Sequence, residues 1–163
     1  MRPIAALLVA AATLSAGQAA ALSCLRPDPV RIYTQARDAE EAFRIAYGQL
    51  DLSAVSFPQM ESYDVGAPET RDFPGIPFEG HAITKDGFTV PVSTPVTVRL
   101  SCLGPWCPTP PGPEPMMMAL EQIGDDWRVD INACGGDAYG QPSKGQLERV
   151  VACHRDEGDC ATE

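Results

Sequence analysis

The sequence predicts a mainly β fold of five to six short antiparallel strands, flanked by a short N-terminal helix and a C-terminal helix and stapled by disulfides. Three observations predict it. Apolar residues recur with period two through the middle of the chain, Gly and Asp mark tight turns between those runs, and six cysteines all fall after residue 21. A chain of this size made mostly of short strands must close a barrel or stack two sheets to protect its edges.

The elements follow in order. Arg2, the apolar run from Ile4 to Leu14 and the small residues Ala19, Ala20 and Ala21 read as a secretory signal peptide over residues 1–21, with cleavage after Ala21. An apolar run of about a dozen residues is shorter than the ~18 a membrane span needs, and no longer run follows. Residues 22–163 are then one domain.

Asp28 and Pro29 form a helix start, a capping carboxylate followed by a residue whose φ is already helical. The helix runs over 29–40. At Phe43 the period changes to two, giving a strand over 43–52 with Gly48 as a bulge or bend. Pro58, Pro68, Pro74 and Pro77 with no sustained period predict a long surface loop over 53–77. Segments 78–84 and 88–92 flank Lys85-Asp86-Gly87, a hairpin signal, and 96–102 alternates cleanly.

Six prolines within residues 105–115 remove the donors a strand needs, so 103–115 is a second irregular segment. Segments 116–123 and 127–131 form another hairpin about Gly124-Asp125-Asp126. Ser143 and Gln146 have the spacing of a capping box, and Leu147, Val150 and Val151 give the following helix one apolar stripe ending at Cys153 or His154.

Charge and cysteines narrow the function. The whole chain carries a net charge of −10, and −11 without Arg2. That acidity argues against nucleic acid or an anionic membrane surface as partner, because phosphate contacts need cations. Cys24, Cys102, Cys107, Cys134, Cys153 and Cys160 allow up to three disulfides in ~15 arrangements. Cys102 with Cys107 and Cys153 with Cys160 are close in sequence; that arrangement leaves Cys24 with Cys134.

Residue types that carry chemistry are sparse. His81 and His154 are the only histidines, neither lies in a metal-ligand spacing, and no serine sits in a nucleophile elbow. Cys153, Cys160 and His154 are a zinc set only if the thiols stay reduced. Met116, Met117 and Met118 offer soft thioethers to a cuprous ion, yet alternation along a strand packs them equally well in a core. Asp125, Asp126 and Asp130 read as a solvated acidic turn. No catalytic residue, metal or cofactor is assigned.

The run Cys24-Leu25-Arg26-Pro27-Asp28-Pro29, the helix through Tyr33 and Ala36, and the strand from Phe43 to Gly48 resemble the opening of netrin-like domains, which include the tissue inhibitors of metalloproteinases. Cys102, Trp106-Cys107, the strand from Met116, the strand ending at Cys134 and a closing helix with Cys153 are similar in order to the rest of that domain. The resemblance implies an OB-type barrel of five strands with flanking helices.

It also implies an inhibitory use of the matching first cysteine, here Cys24, whose free amine and carbonyl would chelate a target's zinc. Cleavage after Ala21 leaves Leu22 and Ser23 in front of Cys24; cleavage after Ser23 exposes it. Ala21-Leu22-Ser23-Cys24 is also a lipobox lacking the usual Leu. The expected function is therefore an exported, disulfide-stabilised binding module, periplasmic or secreted, for an unknown protein or small-molecule partner. Trp106, Tyr63 and Phe73 are its candidate contact residues, and inhibition of a metalloprotease or metal handling are the alternatives.

Overall fold

A computed structural model describes residues 23–57, 70–158 and 160–161. The signal peptide expected over 1–21 and residues 58–69 of the 53–77 loop, Tyr63 among them, lie outside the described residues. In chain order the elements are α1 (Pro29–Asp38), β1 (Phe43–Leu50), β2 (Thr70–Thr84), β3 (Gly87–Ser101), β4 (Met116–Ile123), β5 (Asp126–Asn132), β6 (Ala138–Gly140) and α2 (Lys144–His154). The sheet order is β1-β2-β3-β5-β4-β6, and β1 also pairs β4. Five strands thereby close an OB-like barrel, with β6 added outside the ring on β4. The closing contact of β3 with β5, from Val96 against Trp127 to Ser101 against Asn132, is parallel; the other pairings are antiparallel.

Alternation decides which side chain faces where. Val96, Val98 and Leu100 of β3, Met116, Met118 and Leu120 of β4, and Val129 and Ile131 of β5 fill the barrel with Phe78 and Leu50. Their neighbours in sequence face out. Ile45, Met117 and Ala119 meet Val30, Tyr33 and Ala36 of α1 and Val150 of α2, forming a second apolar layer beneath the helices. Both helix starts are capped as the sequence predicts: Asp28 accepts from the Val30 amide at 2.8 Å, and Ser143 and Gln146 form the reciprocal box.

Three differences from the sequence reading have physical causes. First, the loop expected to 77 ends earlier, because β2 begins at Thr70 and contains Pro74 and Pro77. Pro74 falls at a register shift between Phe73 and Ile76, where a bulge excuses its missing donor. The Pro77 carbonyl accepts from the Asp51 amide, so its backbone points away from β3 and loses no ladder bond there.

Second, 88–92 and 96–102 form one fifteen-residue strand, β3, despite Pro91 and Pro95. Pro95 lies opposite Pro77 and Pro91 opposite His81. Residues 91, 93 and 95 share one backbone orientation, away from β2 and toward an edge that β5 reaches only from Val96 onward. Proline is tolerated on such an edge.

Third, Gly48 is not a bulge. It pairs in continuous register with Gly80 on one side and Met116 on the other. A Cβ built on it would lie 2.6 Å from the Gly80 Cα and 2.7 Å from Phe78 Cζ. The two glycines bring the β1 and β2 backbones together and leave room for the Phe78 ring.

Candidate functional site

The three disulfides are Cys24–Cys134, Cys102–Cys107 and Cys153–Cys160. The first two lie just beyond the paired ends of β3 and β5, where Ser101 stands opposite Asn132. Cys24 is joined across 110 residues to the turn that follows β5. That turn is itself held closely: the Asn132 side chain accepts from the Cys134 amide at 2.9 Å, and the Asn132 carbonyl accepts from Gly135 at 2.9 Å. Gly136, at φ +67°, passes against β5, where a Cβ would lie 3.1 Å from the Asn132 nitrogen. Asp28 ties the segment after Cys24 inward. It is almost fully buried, and its second oxygen lies 3.7 Å from Arg149 of α2.

The Cys102–Cys107 link closes a miniature hairpin at the end of β3. Leu103 donates to the Trp106 carbonyl at 2.7 Å and Trp106 donates back at 3.3 Å, so Gly104-Pro105 is a two-residue turn. Gly104 has φ +60°, a value that favours glycine, and Pro105 follows it. The covalent bond flanks the turn directly. Leu103 consequently stands 36% exposed on a short, rigid support, with Trp106 half-buried beside it.

Leu103 and Leu25 line one cleft of about 270 Å³, together with Pro27, Ile32 and Ala138. Leu25 is 71% exposed, the highest value among the large apolar residues described. Two exposed leucines, each next to a disulfide, therefore share one concave surface.

The structure separates the other candidates. Phe73, half-buried on β2, packs edge-on against Phe57 at 4.8 Å and onto the barrel core, away from the Leu25–Leu103 cleft. His81 is exposed on β2, opposite Tyr47 and Pro91. His154 bonds the Tyr33 hydroxyl through Nδ1 at 3.1 Å. Met116 and Met118 face the barrel interior while Met117 faces the helices, so the three sulfurs do not converge. The Cys153–Cys160 bond removes both thiolates from a zinc set with His154. Among the described residues no group of three or more His, Cys, Asp or Glu is placed to hold a metal ion.

Asp130 corrects the acidic-turn reading. It lies within β5, half-buried, and accepts from Ser101 at 2.7 Å. It belongs to a charged lattice on the outer wall that sequence reasoning missed. Arg99 holds Asp72 through two bonds of 2.7 Å, which keeps the Asp72 carboxyl below its ordinary value. Arg128 meets Glu121 at 2.6 Å. Asp137 is pushed up to about 6, chiefly by burial, and further by the charges of Asp130 and Glu121.

Compared with family models, curated proteins and solved structures, the chain matches none. Among the described residues no helix is long and apolar enough to cross a membrane.

Proposed function

We propose that this chain is an exported, disulfide-stabilised binding module that docks a protein partner through the Leu25–Leu103 cleft. The observation that carries the reading is the placement of Leu25 and Leu103, exposed on the walls of one cleft and each held by an adjacent disulfide. Exposed apolar side chains on supports that are already ordered contribute to association with little ordering cost. Three disulfides suit a domain that works in an oxidising compartment.

Affinity capture from envelope and culture extracts under non-reducing conditions tests this. The native protein retains a discrete partner; the Leu25→Asp/Leu103→Asp variant loses it, whereas Val90→Asp and Ile123→Asp, on other surfaces, retain it. Retention by the double leucine variant would sink the reading.

A second reading rests on Cys24 itself. Ser23 and Cys24 line the same cleft, next to the Leu103 turn, and the netrin-like resemblance implies zinc chelation by a first-residue cysteine. Intact mass of the exported protein separates the two. A chain starting at Leu22 supports the docking module alone, and a chain starting at unmodified Cys24 makes metalloprotease inhibition the assay to run.

A further inference from the structure

A second cleft, of about 440 Å³, opens at the other end of α1, where the last turn of that helix and the end of α2 meet the rims of β1, β2 and β5. Its volume falls in the range that small-molecule sites occupy. Phe43, Ile45, Ala82 and Ile83 supply apolar wall. The polar groups are of one kind. Arg37, Arg44 and His154 line the cleft with the Tyr33 hydroxyl, and among the described residues no carboxylate lines it. In a chain of net charge −10 this is a local reversal.

Arg44 is the decisive residue. Its guanidinium lies over the Trp127 ring, 4.3 Å from the centroid. A cation–ring contact of this kind does not consume the guanidinium's N–H donors, which can bind a carboxylate in bidentate fashion. Arg44 is exposed, and among the described residues it has no ion-pair partner.

The neighbouring charges are accounted for. Asp38 pairs with Arg37 at 2.7 Å, and both are exposed. Asp156 is felt at Tyr33, and Arg155 donates to the Lys85 carbonyl beside the β2–β3 turn. His154 Nδ1 lies 3.1 Å from the Tyr33 hydroxyl, so that contact uses one ring nitrogen and leaves Nε2 outside it.

We infer that this cleft binds a small organic anion, an oxyanion head held by Arg44 with its apolar body against Trp127 and the β1–β2 wall. Nothing in the docking reading depends on it, since the two clefts flank opposite ends of α1.

Titration of the isotopically labelled protein with phenylacetate, followed by NMR, tests the inference. The Trp127 indole and Arg44 Nε–H signals shift saturably, while the Trp106 indole, in the Leu103–Trp106 turn and outside this cleft, stays still. Arg44→Gln weakens binding about tenfold or more, and neutral phenylacetamide binds about tenfold more weakly than phenylacetate. Inorganic phosphate, lacking the apolar body, also binds more weakly. Equal binding of the amide, equal binding of phosphate, undiminished binding by a folded Arg44→Gln variant, or no saturable shift up to about 10 mM phenylacetate would each overturn it.

Discussion

Over β1 and the first half of β4, Ile45, Met117 and Ala119 seal the outer wall of the barrel against two helices, whereas over β3 and β5 the same wall carries Arg99, Ser101, Arg128 and Asp130. The strands are continuous and their interior faces equally apolar, so the difference lies only in alternate residues. The apolar stretch is covered by non-directional packing that responds to volume. The charged stretch is held by directional bonds, and it responds to pH and salt. One barrel thus has two kinds of exterior, and the two should fail differently.

The sharpest way to break the comparison is to remove volume under the helices. Met117→Ala leaves a cavity beneath α1 and α2 and should cost about 3 kcal/mol, with little pH dependence. Urea unfolding with the disulfides intact measures it; a loss under about 1 kcal/mol would mean the helices collapse onto the gap.

Arg128→Ala comes next. It leaves Glu121 without its ion-pair partner and Asp137 without a neighbouring cation and should cost about 2 to 3 kcal/mol at neutral pH, less below about pH 6, where Asp137 takes up its proton. The same unfolding series at pH 7 and pH 4.5 checks it.

Asp137 has the opposite sign. Its folded-state value, about 6, lies above the unfolded 3.8, so the folded state takes up the proton first. Stability therefore falls as pH rises from about 4 to about 6.5 and is then level. Asp137→Asn should stabilise by about 2 kcal/mol at pH 7.5 and have no effect near pH 4, as read from melting curves across that range. A variant no more stable than the native chain at pH 7.5 would show that water reaches the carboxyl.

The smallest effect belongs to Arg99 and Asp72, which sit at the solvent margin of the lattice with side chains 29% and 44% exposed. Arg99→Gln should cost under about 1 kcal/mol, and about 0.5 M salt should remove most of it.

How much of this was legible depends on how local each signal is. The helix caps at Asp28 and Ser143, the turn at Asp86-Gly87, the alternating strands and the three cysteine pairs need only neighbouring residues or an even count, and all of these appear in the fold. The long hairpin was obscured because Pro77, Pro91 and Pro95 read as breakers until one knows which edge of each strand lies unpaired. Gly48 gave a true signal, since a strand glycine does mark close backbone approach, but the partner that requires it, Gly80, is fixed only by register.

The sites were less legible still. Trp106 stands out in the sequence as an aromatic between two closely spaced cysteines, although it does not line the cleft, whereas nothing local marks Leu25 as exposed. Arg44 and Trp127 stand on different strands and meet only when the barrel closes. The lattice draws on β2, β3, β4, β5 and the turn after β5, and within each strand its members are simply the polar half of the alternation.

The prolines on the outer edge of β3 have a consequence for how this molecule behaves in company. A bare strand edge is a template on which a second chain can grow a sheet, and repeated growth makes fibrils. Along 91–95 only Ser93 offers an outward amide, because Pro91 and Pro95 have none. Concentrated solutions should therefore resist β-type polymerisation along this edge, and replacing both prolines with threonine should give it back two donors and raise thioflavin-reactive aggregation.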